Sequence, residues 1–213
     1  MDDLPRRVAS AATAPVEGLW QRHVAVPYAA TALDGRRGYG RWGTRDGFSV
    51  LYLGRPLDSV VVEAYRHLID PIAEPDMVAV LARNIQPRML VTATVAVTNV
   101  LDLREPATRV GVGLTLDVLQ SSTADREAYA ACQRVAQVAH QLNLHGLIAP
   151  AASKLGETLA LFMDLLPAEQ RPMRDETDQV WTHLPADPRA NPGRHLRALA
   201  RSPMRTTTSA LSR

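Results

Sequence analysis

The chain has 213 residues, 46% hydrophobic and 22% charged, with a formal net charge of +2; this suits one domain with a substantial core and argues against direct nucleic-acid binding or membrane association. Cys132 is the only cysteine, so an intramolecular disulfide is excluded. No stretch reaches the roughly 18–20 continuous apolar residues of a membrane helix and the N-terminus has no apolar signal core, so a cytoplasmic protein is expected.

In chain order, residues 1–16 are rich in Ala, Pro and Arg and are expected to form a flexible arm. Gly38, Gly40, Gly43 and Gly47 then mark a loop whose backbone can approach a ligand closely. Residues 49–53, Ser-Val-Leu-Tyr-Leu, are β-prone. After Gly54-Arg55-Pro56, residues Leu57, Val60, Val61, Ala64 and Leu68 repeat at helical spacing until Asp70-Pro71 stops them. Residues 89–97 alternate Val91, Ala93, Val95 and Val97 with Thr92, Thr94 and Ala96, which predicts a half-buried strand. Residues 127–144 read as a helix with an apolar stripe of Ala131, Val135, Val138 and Leu142, an N-cap at Ser122 or Thr123 and a stop at Gly146. Residues 158–166 suit either strand or helix, and the Pro- and Arg-rich end from Pro185 reads as a weakly ordered tail, with a short helix at 194–201. The pattern predicts an α+β domain around a small, twisted, mostly antiparallel sheet.

Arg41, Tyr52 and Glu63 stand at two successive intervals of eleven residues, in loop, strand and helix. A basic group, an aromatic ring and a carboxylate are what a protein needs to hold a nucleotide diphosphate and break a glycosidic bond. Glu63 lies off the apolar helix face, with Ser59 and His67 four residues away on either side. On spacing alone a solvated Glu63–His67 pair is the commoner arrangement, and Tyr52 at mid-strand is more often core than catalytic.

Other chemistries find less support. The six histidines, at 23, 67, 140, 145, 183 and 195, show no metal-ligand spacing and most read as surface or helix-end residues, so no metal is expected. There is no P-loop and no G-x-S-x-G elbow.

The ordered set G-R-W at 40–42, V-L-Y-L at 50–53 and V-E at 62–63 resembles the RES domain, a family of toxins in bacterial toxin–antitoxin pairs. Residues 97–114, 129–133 (Tyr-Ala-Ala-Cys-Gln) and 145–152 (His-Gly-Leu-Ile-Ala-Pro-Ala-Ala) are similar to further family segments, so the resemblance covers about 17–166, with 167–213 as a C-terminal extension. It implies a fold like that of ADP-ribosylating toxins, with NAD as substrate rather than a prosthetic group. The nicotinamide–ribose bond would be cleaved with phosphate or water as acceptor. Carried over residue by residue, it implies Glu63, Tyr52 and Arg41 as catalytic residues and Arg22, Arg41, Tyr52, Trp42, Gln133 and Ser153 as nucleotide-binding residues. The family's serine falls on Ala130 or Ala151, with Ser153 close by, and Gly43 stands where asparagine is usual. The resemblance also implies a helix-turn-helix, Xre-like antitoxin whose C-terminal part covers the cleft, and leaves a homo-oligomer open. Two alternatives share the NAD clamp: a mono-ADP-ribosyltransferase that modifies a protein, and a catalytically degenerate RES-fold binding protein.

Overall fold

The computed structural model describes residues 3–74 and 77–190. In chain order the elements are α1 (Leu4–Ala9), β1 (Thr13–Ala25), β2 (Val50–Arg55), α2 (Leu57–Leu68), α3 (Val78–Arg83), β3 (Arg88–Asp102), α4 (Pro106–Gly111), α5 (Leu116–Leu119), α6 (Arg126–Gln141), β4 (Gly146–Pro150), β5 (Glu157–Phe162), β6 (Met173–Arg174) and β7 (Gln179–Trp181). Strands and helices mix as the sequence predicts, and among these strands the only parallel pairing is β3 with β4.

The sheet is not an open twisted one. Strands β1, β2, β5, β4 and β3 follow one another as hydrogen-bonded neighbours, and β3 pairs back onto β1, which closes a five-stranded barrel. Closure rests on two long strands, β1 of 13 residues and β3 of 15, paired from Thr13↔Leu101 to Ala25↔Arg88. Such long strands carry enough twist to bring the far edge of the sheet round to them. The seam between β1 and β2 is thin, with Gln21 opposite Gly54.

Alternation along each strand then divides the core. Trp20, Leu51, Leu53, Val95, Val97, Ile148, Leu159 and Leu161 fill the barrel, while Val50, Leu147, Ala160 and Phe162 face outward onto α6. On another flank, Val60, Val61, Ala64 and Tyr65 of α2 pack against Leu90 and Trp181.

Several expectations change. The N-terminal residues are not a free arm: α1 buries Leu4 and Val8 against α6, and β1 already begins at Thr13. Apolar residues at i and i+4 gave α1 a face to bury, which its Ala-, Pro- and Arg-rich composition masked. In α6 the buried residues are Ala128, Tyr129, Cys132, Val135, Ala136 and Ala139, so the stripe is rotated from the expected one. Small side chains let the helix lie close on the barrel, with Val138 and Ala131 at the margin. Asp125, not Ser122 or Thr123, caps α6 by accepting from the Ala128 N–H, and Asn143 at φ 58 follows its end. Gly146 opens β4 instead of stopping α6; a Cβ there would lie 2.3 Å from the Ala160 carbonyl oxygen. Residues 157–162 settle as strand β5, and part of the expected C-terminal extension joins the sheet, with β6 and β7 paired to β3. The helix expected at 194–201 lies outside the described residues. Among the described residues no helix is long and apolar enough to cross a membrane.

Candidate active site

A cleft of about 450 Å³ opens where β2 and β4 finish and β5 begins, walled by β1, the glycine-rich loop, β2 and α2. Arg22, Arg41, Trp42, Tyr52 and Glu63 all line it. Residues far apart in the chain meet there because the barrel closes at Gln21 and Gly54, next to these side chains.

Glu63 is held on α2 between buried Val62 and Ala64, so its backbone is fixed although its carboxylate reaches the cleft. Oε1 lies 3.6 Å from Arg66 Nε and Oε2 lies 3.5 Å from His67 Nε2. Both distances exceed a good hydrogen bond, and Glu63 Oε1 and Arg66 Nε are each buried without a hydrogen-bond partner among the described residues. The carboxylate therefore sits in a positive surrounding with unspent hydrogen-bonding capacity.

Arg41 is placed in the cleft wall but its fork is largely occupied. Nη1 donates to the Val118 carbonyl at 2.7 Å and to Ser121 Oγ at 3.1 Å, and Nη2 donates to the Ser121 carbonyl at 2.9 Å. Its guanidinium also lies 4.5 Å from the Tyr129 ring centre, and Tyr129 stacks on Tyr39. Arg41 thus braces the segment between α5 and α6. Arg66 does the same from α2, donating to the Ala152 carbonyl at 2.7 Å and to the Ser121 carbonyl at 2.9 Å.

Tyr52 points out of the barrel beneath the glycine-rich loop, and its hydroxyl accepts the Trp42 N–H at 3.0 Å. Burial pushes its pKa up, so it remains a phenol. Gly40 is required by this contact: a Cβ there would lie 2.7 Å from the Tyr52 hydroxyl. Trp42 is itself buried in the core beside Tyr52 and fixes the loop.

Arg22 shares the strand face of Trp20 and Val24, at the barrel's edge. Its Nε is buried without a hydrogen-bond partner among the described residues. Burial first, then Arg36 and Arg88, lowers its pKa to about 10, leaving it charged at neutral pH in a field that favours an anion.

Two expected ligand residues stand behind the wall instead of in it. Gln133 Nε2 donates to the carbonyls of Gly40 at 2.8 Å and Gly43 at 3.2 Å, so its amide clamps the glycine-rich loop to α6. Ser153 is buried and its hydroxyl lies 2.8 Å from Ser59 Oγ; Ser59, one turn before Glu63, is the member of this pair that lines the cleft. Of the two positions where relatives carry serine, Ala130 is exposed on α6 and Ala151 is buried.

Sequence reasoning passed over Arg66, although its spacing of three from Glu63 was a signal. It also passed over His23, singled out for no role among the six histidines, which lines the cleft half-buried. Among the described residues no group of three or more His, Cys, Asp or Glu could hold a metal ion.

The chain is thus a barrel-and-helix domain whose cleft gathers a carboxylate and several arginines, and residues 19–185 match the RES domain family. The chain belongs to the RES domain family, and the match extends beyond residue 166 to include β6 and β7. Its fold is similar to a chain in the crystal structure of the M. tuberculosis MbcT–MbcA toxin–antitoxin complex, with a TM-score of 0.70 and 22% identity over 85% of this chain and 93% of that one. A search of curated proteins finds no match.

Proposed function

We propose that this protein is the toxin of a toxin–antitoxin pair and cleaves the nicotinamide–ribose bond of NAD, with inorganic phosphate or water as acceptor. The observation that carries the reading is the unspent hydrogen-bonding capacity of Glu63 Oε1 in a cleft that Arg22 also lines, its buried Nε likewise without a partner among the described residues. In this reading Glu63 accepts from the ribose hydroxyls and faces the positive charge that develops as nicotinamide leaves with the electron pair of the C–N bond. That interaction is stronger in the oxocarbenium-like transition state than in the ground state, which is what accelerates the step. A lone pair of phosphate, or of a water that releases a proton to solvent, then closes on the anomeric carbon. Tyr52, kept neutral, offers a ring edge and hydroxyl at the cleft wall, and Arg22 takes the pyrophosphate. Arg41 and Arg66 support the wall, and Arg66 also adds positive charge beside Glu63.

The similarity to a chain from a toxin–antitoxin complex supports an antitoxin partner. We assign it the helix-turn-helix type, covering the cleft. The test is to free the protein of any co-purifying partner, incubate it with NAD with and without inorganic phosphate, and resolve the products by mass. Nicotinamide with ADP-ribose-phosphate assigns phosphorolysis; nicotinamide with ADP-ribose assigns hydrolysis. Label appearing on protein would assign ADP-ribosyl transfer, and intact NAD with folded protein would overturn phosphorolysis and hydrolysis in favour of a protein-modifying or inactive relative.

A further inference from the structure

We propose that His23, fixed by Arg88 as its Nε2–H tautomer, is a phosphate-binding donor at the β1 end of the cleft, and that Arg88 is its positioning residue. The proposal deepens the NAD reading, but its ligand chemistry is only that of a phosphate oxygen.

Arg88 Nε lies 3.2 Å from His23 Nδ1 and is a donor only, so Nδ1 must be the unprotonated, accepting nitrogen. The single ring proton then belongs to Nε2, the nitrogen left to meet a ligand. An imidazolium would set one N–H against another across this contact. The ring is also held in place by stacking on Trp181 of β7, with centroids 6.1 Å apart and planes 20° from parallel.

The groups that act on the ring are Arg88 from β3, His67 from α2 and Arg22 from its own strand. Burial is the largest influence and these follow it; together they bring the His23 pKa down to about 3, so the ring is a neutral donor at physiological pH. The same surroundings select the ligand. A neutral N–H on a ring held against the Arg88 guanidinium, in the wider positive field of Arg22, fits an anionic oxygen better than a carbonyl. Inorganic phosphate and the pyrophosphate of NAD both supply that oxygen.

The experiment records long-range ¹H–¹⁵N spectra of the full wild-type chain at neutral pH, then titrates inorganic phosphate, ADP-ribose and nicotinamide separately. The expected free state is the neutral Nε2–H tautomer at His23. A shift of the His23 ring signals with phosphate alone would assign the seat of a co-substrate, and a shift with ADP-ribose alone would assign the pyrophosphate. His23→Phe, which keeps a ring against Trp181, should weaken binding of the active probe by about tenfold. Arg88→Met should leave a mixture of tautomers, a signature that a merely structural arginine would not move. An Nδ1–H tautomer in the wild type, or a His23 signal that ignores both phosphate-bearing probes, overturns the proposal. NAD cleavage with a silent His23 would sink this inference alone, whereas intact NAD with a responding His23 would sink only the NAD reading.

Discussion

Arg41 and Arg66 donate to one acceptor: Nη2 of each lies 2.9 Å from the carbonyl oxygen of Ser121. One arginine comes from the glycine-rich loop and the other from α2, so the segment ahead of α6 is tied to both walls of the cleft. Thr123, two residues further on, lines that cleft. Arg41→Ala would remove three donated bonds, leaving the Val118 carbonyl and the Ser121 hydroxyl to find other partners and the Ser121 carbonyl to Arg66 alone. The expected cost is about 2–3 kcal/mol, since bonds from a charged donor are among the stronger ones. Denaturant unfolding measures it. An unchanged midpoint together with a raised KM for NAD would return Arg41 to the role of a nucleotide clamp.

Glu63→Gln keeps the shape of the side chain and removes its charge. Its ion pairs, at 3.6 and 3.5 Å, are long, so the fold should hold, and the expected loss in kcat is about 10²–10³-fold, the scale of one electrostatic contact to a transition state. Circular dichroism and NAD turnover on the same preparation separate the two effects. Full activity in a folded variant would remove Glu63 from the chemistry.

Gly40→Ala places a methyl carbon 2.7 Å from the Tyr52 hydroxyl, which can escape only by giving up the Trp42 N–H. Overpacking of this kind costs about 1–3 kcal/mol. Tyr52→Phe in the same chain removes the oxygen that is struck, so a double-mutant cycle should show the Gly40→Ala penalty shrinking when Tyr52→Phe is already present. Equal penalties with and without Tyr52→Phe would mean that the loop moves as a body.

The residue types of the site were easier to read from the sequence than their partners. Arg41, Tyr52 and Glu63 announce themselves by motif, and the structure brings them to one cleft. What Arg41 touches is 77 to 80 residues away, at Val118 and Ser121, and no local pattern encodes that distance. Gln133 is similar, since its acceptors at Gly40 and Gly43 lie on another element. Barrel closure was hidden because alternation tells which face of a strand is buried and says nothing about which edges meet. The rotated face of α6 has a third cause: Ala128, Ala136 and Ala139 carry little hydrophobic signal, yet their small size is what permits close packing.

Asp102 supplies a pH-dependent prediction at the end of β3. Arg104 grips its carboxylate with Nε on Oδ1 at 2.9 Å and Nη2 on Oδ2 at 2.7 Å, and the Arg104 backbone N–H adds a third bond at 3.0 Å. These bonds, led by the Arg104 side chain, outweigh the opposing effect of burial and hold the Asp102 pKa below its ordinary value. The unfolded chain therefore binds the Asp102 proton more readily than the folded one, so this contribution is present above the unfolded pKa of about 3.9 and fades as pH falls through the lower folded value. Asp102→Asn should lose stability at neutral pH and show a flatter decline in acid than the wild type. Parallel acid limbs in the two unfolding profiles would mean that some other carboxylate dominates the acid response, and that the Arg104 contact does not set the stability of this end of the barrel.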